Sequence, residues 1–155
     1  MALIRALLLG LLVTQPAHAL SCLRADAVRS YLDRAERPDQ VVLLGTFDFT
    51  PGALDRPDGT MTRIPEDKQV AGQFRGEDLL TGTRIEGPIT VVSHCMASWC
   101  GNMVPGIHLA FGTQTAAGLV VSVDPCGTAA FPDPDMASLA RLERCMVDRD
   151  CEILE

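Results

Sequence analysis

The segment VVLLGTFDF, residues 41–49, predicts the first strand of a mainly β fold. Four consecutive apolar residues, Val41–Leu44, indicate a strand that is buried on both faces. Gly45 interrupts the run and predicts a bend or a bulge in the strand. A loop rich in proline and glycine follows over residues 51–59, and it contains the hairpin-type turn signal Asp58-Gly59.

Four more strands are predicted downstream of this segment. They cover Met61–Phe74, Ile89–Ser93, Ile107–Gly112 and Leu119–Asp124. The stretch Gly76–Gly82 between the first two of them is predicted to be a turn region. The chain therefore carries about five short strands, with no linker that would divide it into two domains.

A helix is predicted on each side of the strands. Asp26 is expected to cap the first, over Ala27–Arg37, because apolar residues recur at helical spacing along one face of that segment. Asp133 is expected to cap the second, with Pro134 at its first helical position. Five strands between two helices predict a small, closed or partly closed antiparallel barrel.

The first 19 residues have the pattern of a cleavable signal peptide. Arg5 precedes the uncharged apolar run Ala6–Val13, and Ala17-His18-Ala19 offers a small-residue cleavage site. The run is too short to span a bilayer, which takes roughly 20 residues. We therefore expect an exported, periplasmic or secreted protein whose single domain covers residues 20–155 and has no transmembrane segment.

The formal net charge of −7 comes without any cluster of lysines and arginines. Nucleic acids and anionic membranes are bound through basic surfaces, so the sequence argues against both as partners. An acidic surface of this kind serves solubility.

Six cysteines follow the predicted signal peptide, and an exported chain meets an oxidising environment in which thiols pair. Six cysteines allow 15 pairings, and the sequence alone does not select one. Spacing favours the local bridges Cys95–Cys100 and Cys145–Cys151, which leaves Cys22 with Cys126. In the chain-entropy description the long bridge contributes about 4–5 kcal/mol and each short one about 2 kcal/mol.

Zinc binding, redox exchange and acylation are three alternatives to structural disulfide bonds for these cysteines. His94, Cys95, Cys100 and His108 have the residue types of a zinc site, but their spacing is not that of a zinc finger. The Cys95–Cys100 pair encloses four residues, whereas redox enzymes use Cys-x-x-Cys. Acylation of Cys22 would give a lipid anchor and leave an odd number of cysteines.

No catalytic motif is present in the sequence. Neither Gly-x-Ser-x-Gly nor His-Glu-x-x-His occurs, and His94 and His108 are the only histidines after the signal peptide. Trp99, the single tryptophan, lies inside the Cys95–Cys100 loop. It has two interpretations, as a core residue against the bridge or as an exposed anchor of a binding surface.

Four features together resemble a known module. They are a cysteine near the predicted mature N-terminus (Cys22), the apolar strand Val41–Gly45 ending in glycine, Cys100-Gly101 followed by Gly106 and the strand Ile107–Phe111, and the strand Leu119–Cys126 running into a cysteine. The chain resembles the netrin-like module, best known from tissue inhibitors of metalloproteinases. It is also similar to small exported bacterial proteins that have no assigned activity.

The resemblance covers Cys22 to about Ala130 and implies a five-stranded OB-like barrel with flanking helices. It also implies a disulfide that ties the N-terminal segment to the barrel, which fits Cys22–Cys126. Metalloproteinase inhibitors of this kind chelate the catalytic zinc with the amine and carbonyl of a first-residue cysteine. Here Leu20 stands at that position, and Cys22 follows two places later.

We therefore expect an exported, non-catalytic binding module, with an exported protein such as a protease as partner and with no cofactor or metal. The expected binding surface consists of Leu20, Ser21, Cys22, Leu23, Met96 and Trp99. Two alternatives stay open. One is a small exported enzyme or zinc-binding protein that uses His94, His108 and nearby carboxylates, and the other is a structural envelope protein.

Overall fold

Ten short elements make up the part of the chain that the computed structural model describes, residues 22–54 and 67–154. In chain order they are α1 (Ala27–Leu32), β1 (Gln40–Asp48), β2 (Lys68–Asp78), β3 (Thr83–Ser93), β4 (Cys95–Met96), β5 (Trp99–Cys100), β6 (Gly106–Thr115), β7 (Gly118–Val123), β8 (Ala130–Pro132) and α2 (Met136–Asp148). The predicted signal peptide, Leu20, Ser21 and the beginning of the predicted strand Met61–Phe74 lie outside the described residues.

Five of the strands close into a barrel. Hydrogen bonds connect them in the order β1-β2-β3-β7-β6, and β6 pairs with β1 to complete the cylinder. The predicted mainly β, five-stranded, OB-like barrel with a helix on either side is therefore confirmed. One detail is corrected: the barrel is mixed, because β3 and β7 run parallel from Ile89–Leu119 to Ser93–Val123. Strand direction depends on contacts distant in sequence, which residue patterns do not report.

β2 extends into the beginning of the stretch Gly76–Gly82 that was expected to be a turn region, and residues 79–82 form the turn. Gly76 lies within β2, directly opposite Gly45 of β1, and the turn begins only after Asp78. A Cβ atom on Gly45 would lie 2.6 Å from the Gly76 Cα and 2.9 Å from the Phe74 ring. These glycines are therefore required by the close approach of two strands and the ring between them, and they do not mark a chain reversal.

The first helix begins where predicted and ends early, and the second begins two residues later than predicted. Asp26 caps α1 as predicted, accepting a hydrogen bond from the Arg29 backbone N–H at 3.0 Å, but α1 ends at Leu32 and not at Arg37. The cap of α2 is Asp135, whose carboxylate accepts from the Ser138 N–H at 2.7 Å. Asp133 instead adopts a left-handed conformation with φ 42°.

Apolar side chains are buried on both faces of the barrel wall. Inside the barrel lies a large core: Val41, Leu43, Phe47, Phe49, Leu54, Phe74, Ile89, Val91, Met103, Ala110, Leu119, Val121 and Val123. A second, smaller core lies between the outer face and the helices: Ala27, Val42, Leu109, Phe111 and Leu142. Alternate residues of β1 and β6 thus enter different cores, which confirms that Val41–Leu44 is buried on both faces.

A buried ion pair joins the two helices over the outer face. The Arg141 guanidinium donates to the Asp26 carboxylate at 3.0 Å, and the two side chains are only 12% and 4% exposed. Arg141 also donates to the backbone carbonyl of Glu152 at 3.0 Å. The pair therefore connects the start of α1 to α2 and to the chain that follows it.

All six cysteines form disulfide bonds in the predicted pairs Cys22–Cys126, Cys95–Cys100 and Cys145–Cys151. The first bond joins positions 104 residues apart, and the other two join positions five and six residues apart. The bond at Cys22 uses the thiol that the lipid-anchor hypothesis requires. The bond at Cys95 and Cys100 likewise uses both thiols of the zinc hypothesis.

Candidate binding surface

One end of the barrel gathers several segments that are distant in sequence. Because β3 and β7 are parallel and end together at Ser93 and Val123, the chain leaves both strands at the same place. After β3 comes the β4–β5 hairpin, and after β7 comes the turn that holds Cys126, to which Cys22 is bonded. The predicted binding segments around Cys22 and around Met96–Trp99 therefore lie at one end of the barrel.

The β4–β5 hairpin is a short, covalently closed projection. Cys95 pairs with Cys100 and Met96 with Trp99, and the disulfide joins the first of these pairs. Ala97, in the two-residue turn, adopts a left-handed conformation with φ 51°. A bonded pair of cysteines next to a two-residue turn leaves the hairpin little conformational freedom.

Hydrogen bonds fix the base of this hairpin on the barrel. The His94 N–H donates to the Val123 carbonyl at 2.9 Å, and the Gly101 N–H donates to the His94 carbonyl at 2.8 Å. The buried Ser93 hydroxyl donates to the Gly101 carbonyl at 2.6 Å. A Cβ on Gly101 would collide with the backbone at Val123, so glycine is required where the hairpin rejoins the wall.

The hairpin presents two large apolar side chains to solvent. Met96 is 56% exposed and Trp99 is 57% exposed. They are cross-strand partners, so their side chains stand on the same face of the hairpin. The interpretation of Trp99 as a core residue is wrong, because its side chain is exposed. Its role as an anchor of a binding surface stays a prediction. Leu23, beside the bonded Cys22, is 73% exposed.

Two exposed apolar residues that sequence reasoning did not select lie close by along the chain. Val104 is 57% exposed and Ile107 is 54% exposed, just before and just after the start of β6. β6 begins at this end of the barrel because it runs antiparallel to β7. The flanking Pro105 and Gly106 were a signal that the chain turns here, but they did not indicate which side chains face solvent.

The two histidines of the zinc hypothesis have different environments. The His94 ring, about half exposed, lies with Nδ1 2.6 Å from the Asp67 carboxylate, whose other oxygen accepts from the Cys95 N–H at 3.0 Å. His108 is 3% exposed, and its ring packs edge-on against Phe47 with centroids 5.7 Å apart. Burial lowers the pKa of His108, against the weaker opposing effects of the Gly106 carbonyl and Asp133.

The four residues of the alternative zinc hypothesis do not form a metal site. Cys95 and Cys100 are bonded to each other, and His108 is buried beside Phe47. Across residues 22–54 and 67–154, no three side chains of His, Cys, Asp or Glu are arranged to hold a metal ion. His94 instead supports the base of the hairpin through Asp67.

No known family model matches this chain, and no curated protein or solved structure is significantly similar to it. Among the residues the structure describes, none of the helices combines the length and apolar character needed to cross a membrane.

Proposed function

We propose that this protein is an exported, non-catalytic binding module that docks a partner protein through the β4–β5 hairpin. The observation that carries the proposal is the exposure of Met96 and Trp99, each more than half accessible, on a hairpin closed by a disulfide. Tryptophan and methionine are enriched at protein interfaces, and tryptophan is among the commonest hot-spot residues.

The rigidity of the hairpin supports the same function. A surface loop that orders only on binding loses conformational entropy at that moment, which weakens the affinity. Here the Cys95–Cys100 bond and the hydrogen bonds at Gly101 hold the two side chains in place beforehand. Leu23 extends the surface, because the Cys22–Cys126 bond fixes its segment at the same end of the barrel.

The proposed partner is another exported protein, in the periplasm or outside the cell, and a protease is the class that the netrin-like resemblance suggests. Three disulfide bonds are consistent with export, because such bonds persist in oxidising compartments. Leu20 would contribute the N-terminal residue of the surface after signal cleavage, next to the fixed segment Cys22–Leu23.

The test is site-specific photocrosslinking in the native host, followed by affinity measurements with the captured partner. A crosslinker at position 96 is expected to capture one partner protein, and a crosslinker at position 136 is the control. Met136 is a matched site because it is 78% exposed and lies on α2, an element outside the hairpin. With the purified pair, Trp99→Ala is expected to weaken binding by roughly thirtyfold or more.

Met136→Ala and Val147→Ala serve as matched controls, since they remove equally exposed apolar side chains from α2. They are expected to leave the affinity unchanged. The proposal is abandoned if Leu20 and Trp99 are replaced together and the partner still binds with wild-type affinity.

A further inference from the structure

A small cavity on the outer face of the barrel has the features of an anion site. Its volume is about 100 Å³. It lies between the segment that follows α1, the first residue of β1 and the outer faces of β6 and β7. Its lining residues are Arg34, Arg37, Gln40, Phe111, Gly112, Thr113 and Ser122. None of these described lining residues is acidic, although the chain as a whole carries a net charge of −7.

The amide of Gln40 is buried without a partner. Both its nitrogen and its oxygen are inaccessible to solvent, and neither has a hydrogen bond to any residue in the described part of the chain. An unsatisfied buried amide is destabilising, and each such group in a native protein calls for an explanation. Gln40 also lines the cavity, so a turn of its side chain would bring the amide into it, where a ligand that both accepts and donates hydrogen bonds would satisfy both atoms.

Two guanidinium groups supply positive charge to this cavity. Arg34 donates to the Ser30 carbonyl at 2.8 Å and to the Thr128 hydroxyl at 3.1 Å, and its guanidinium lies over the Phe111 ring. These contacts hold the Arg34 group in place. Burial lowers the pKa of Arg34, the charge of Asp124 opposes this, and the positive charge of Arg37 lowers it further.

We propose that this cavity binds one small oxyanion, and that inorganic phosphate is the best-matched ion. Its volume equals that of about three liquid waters, at about 30 Å³ each, which suits a single tetrahedral ion. Phosphate oxygens accept from guanidinium groups and from the Gln40 Nε2. At neutral pH inorganic phosphate also keeps a hydroxyl that donates to the Gln40 Oε1, whereas sulfate has none.

The proposal does not depend on the hairpin function. Gln40 is the first residue of β1, and that end of the barrel is opposite the end where β3 and β7 finish. Loss of phosphate binding and loss of partner binding are therefore separable by mutation.

The experiment is titration calorimetry on the oxidised mature protein, with phosphate, glycerol 3-phosphate and sulfate at matched ionic strength. We expect saturable binding of phosphate at one site and weaker binding of sulfate. Binding of phosphate alone would identify the free ion as ligand. Binding of glycerol 3-phosphate as well would identify a phosphate group carried by a larger molecule.

Two variants and one matched control locate the site. Arg37→Gln is expected to weaken phosphate binding roughly tenfold, because a charge-assisted contact is lost. Gln40→Glu keeps the shape of the side chain, places a negative charge in the cavity and is expected to abolish binding. Arg84→Gln removes an exposed arginine of β3 and is expected to change nothing.

Three results would overturn the proposal. They are no phosphate binding by the wild type, equal binding in Arg37→Gln and Arg84→Gln, and retained binding in Gln40→Glu. If Gln40→Glu fails to fold, Arg37→Gln alone decides, because Arg37 is exposed and lies in a turn.

Discussion

The two faces of the barrel wall differ in kind although the same strands build them. The interior holds apolar side chains, and His108 and Ser93 are the buried polar residues among the described parts of β3 and β6. The outer face holds a smaller apolar core with charged and polar groups around it, including the Asp26–Arg141 pair and Gln40. The interior stabilises the barrel, while the outer face carries groups that can bind a ligand or change protonation state with pH.

The largest expected effect comes from an identical change at two adjacent residues of β1. Leu43→Ala removes a fully buried interior side chain and is expected to lower the free energy of unfolding by about 3–4 kcal/mol. Leu44→Ala removes a partly buried side chain on the outer face and is expected to cost about 1 kcal/mol. Urea unfolding of the oxidised proteins measures both. Equal costs would show that the two faces contribute alike.

An intermediate effect is expected from the buried ion pair on the outer face. Arg141→Met leaves the Asp26 carboxylate buried with only the backbone donors of Arg29 and Leu154, and we expect a loss of about 2–3 kcal/mol at pH 7. Arg144→Met is the matched control. Arg144 is about half exposed and 3.9 Å from Glu152, so its loss is expected to change stability little.

The same pair has a defined pH dependence. Burial alone raises the pKa of Asp26, but the Arg29 N–H and the Arg141 guanidinium lower it more, so its pKa lies below 3.8. The stabilisation is therefore complete above the unfolded value of 3.8 and is lost as the pH falls through the lower folded value. The gap between wild type and Arg141→Met should narrow at low pH. A gap of constant size would rule out this account.

The smallest effect is expected from the one histidine in the interior. Burial lowers the pKa of His108 below 6.5, so the unfolded chain takes up a proton more readily than the folded one. Its contribution to stability is therefore complete above pH 6.5 and is lost as the pH falls from 6.5 through the lower folded value. We expect His108→Gln to remove this decline in stability. The measurement is the midpoint of unfolding, followed from roughly pH 7.5 to roughly pH 5. His94→Gln is the matched control, in which the decline assigned to His108 should remain.

Local patterns predicted much of this fold. The apolar run Val41–Leu44 predicted a strand buried on both faces, and the spacing of the cysteines favoured the three bonds that form. The prediction for Gly76 was wrong because the sequence does not distinguish a glycine that permits close strand approach from a glycine in a turn. β8 escaped notice because three residues ending in proline carry no periodic pattern. The parallel pairing of β3 and β7 depends on contacts between distant segments.

The candidate sites were predictable to different degrees. Trp99 stood out in the sequence as the single tryptophan between two cysteines, but its exposure became clear only from the pairing with Met96. The cavity beside Gln40 left no signal, because Arg34, Gln40 and Thr113 are an unremarkable set until β1, β6 and the chain after α1 pack together. The net charge of −7 argued against an anion site, because two arginines do not stand out in such a chain.

The Cys22–Cys126 bond also sets an order of events in time. A ribosome delivers Cys22 early and Cys126 only 104 residues later, after all five strands of the barrel have been made. Both thiols of the Cys95–Cys100 bond are synthesised before Cys126, so this bond does not have to wait for the rest of the barrel. The covalent tie at the N-terminus can therefore form only after all five barrel strands have been synthesised, and a chain truncated before Cys126 leaves Cys22 without its native partner.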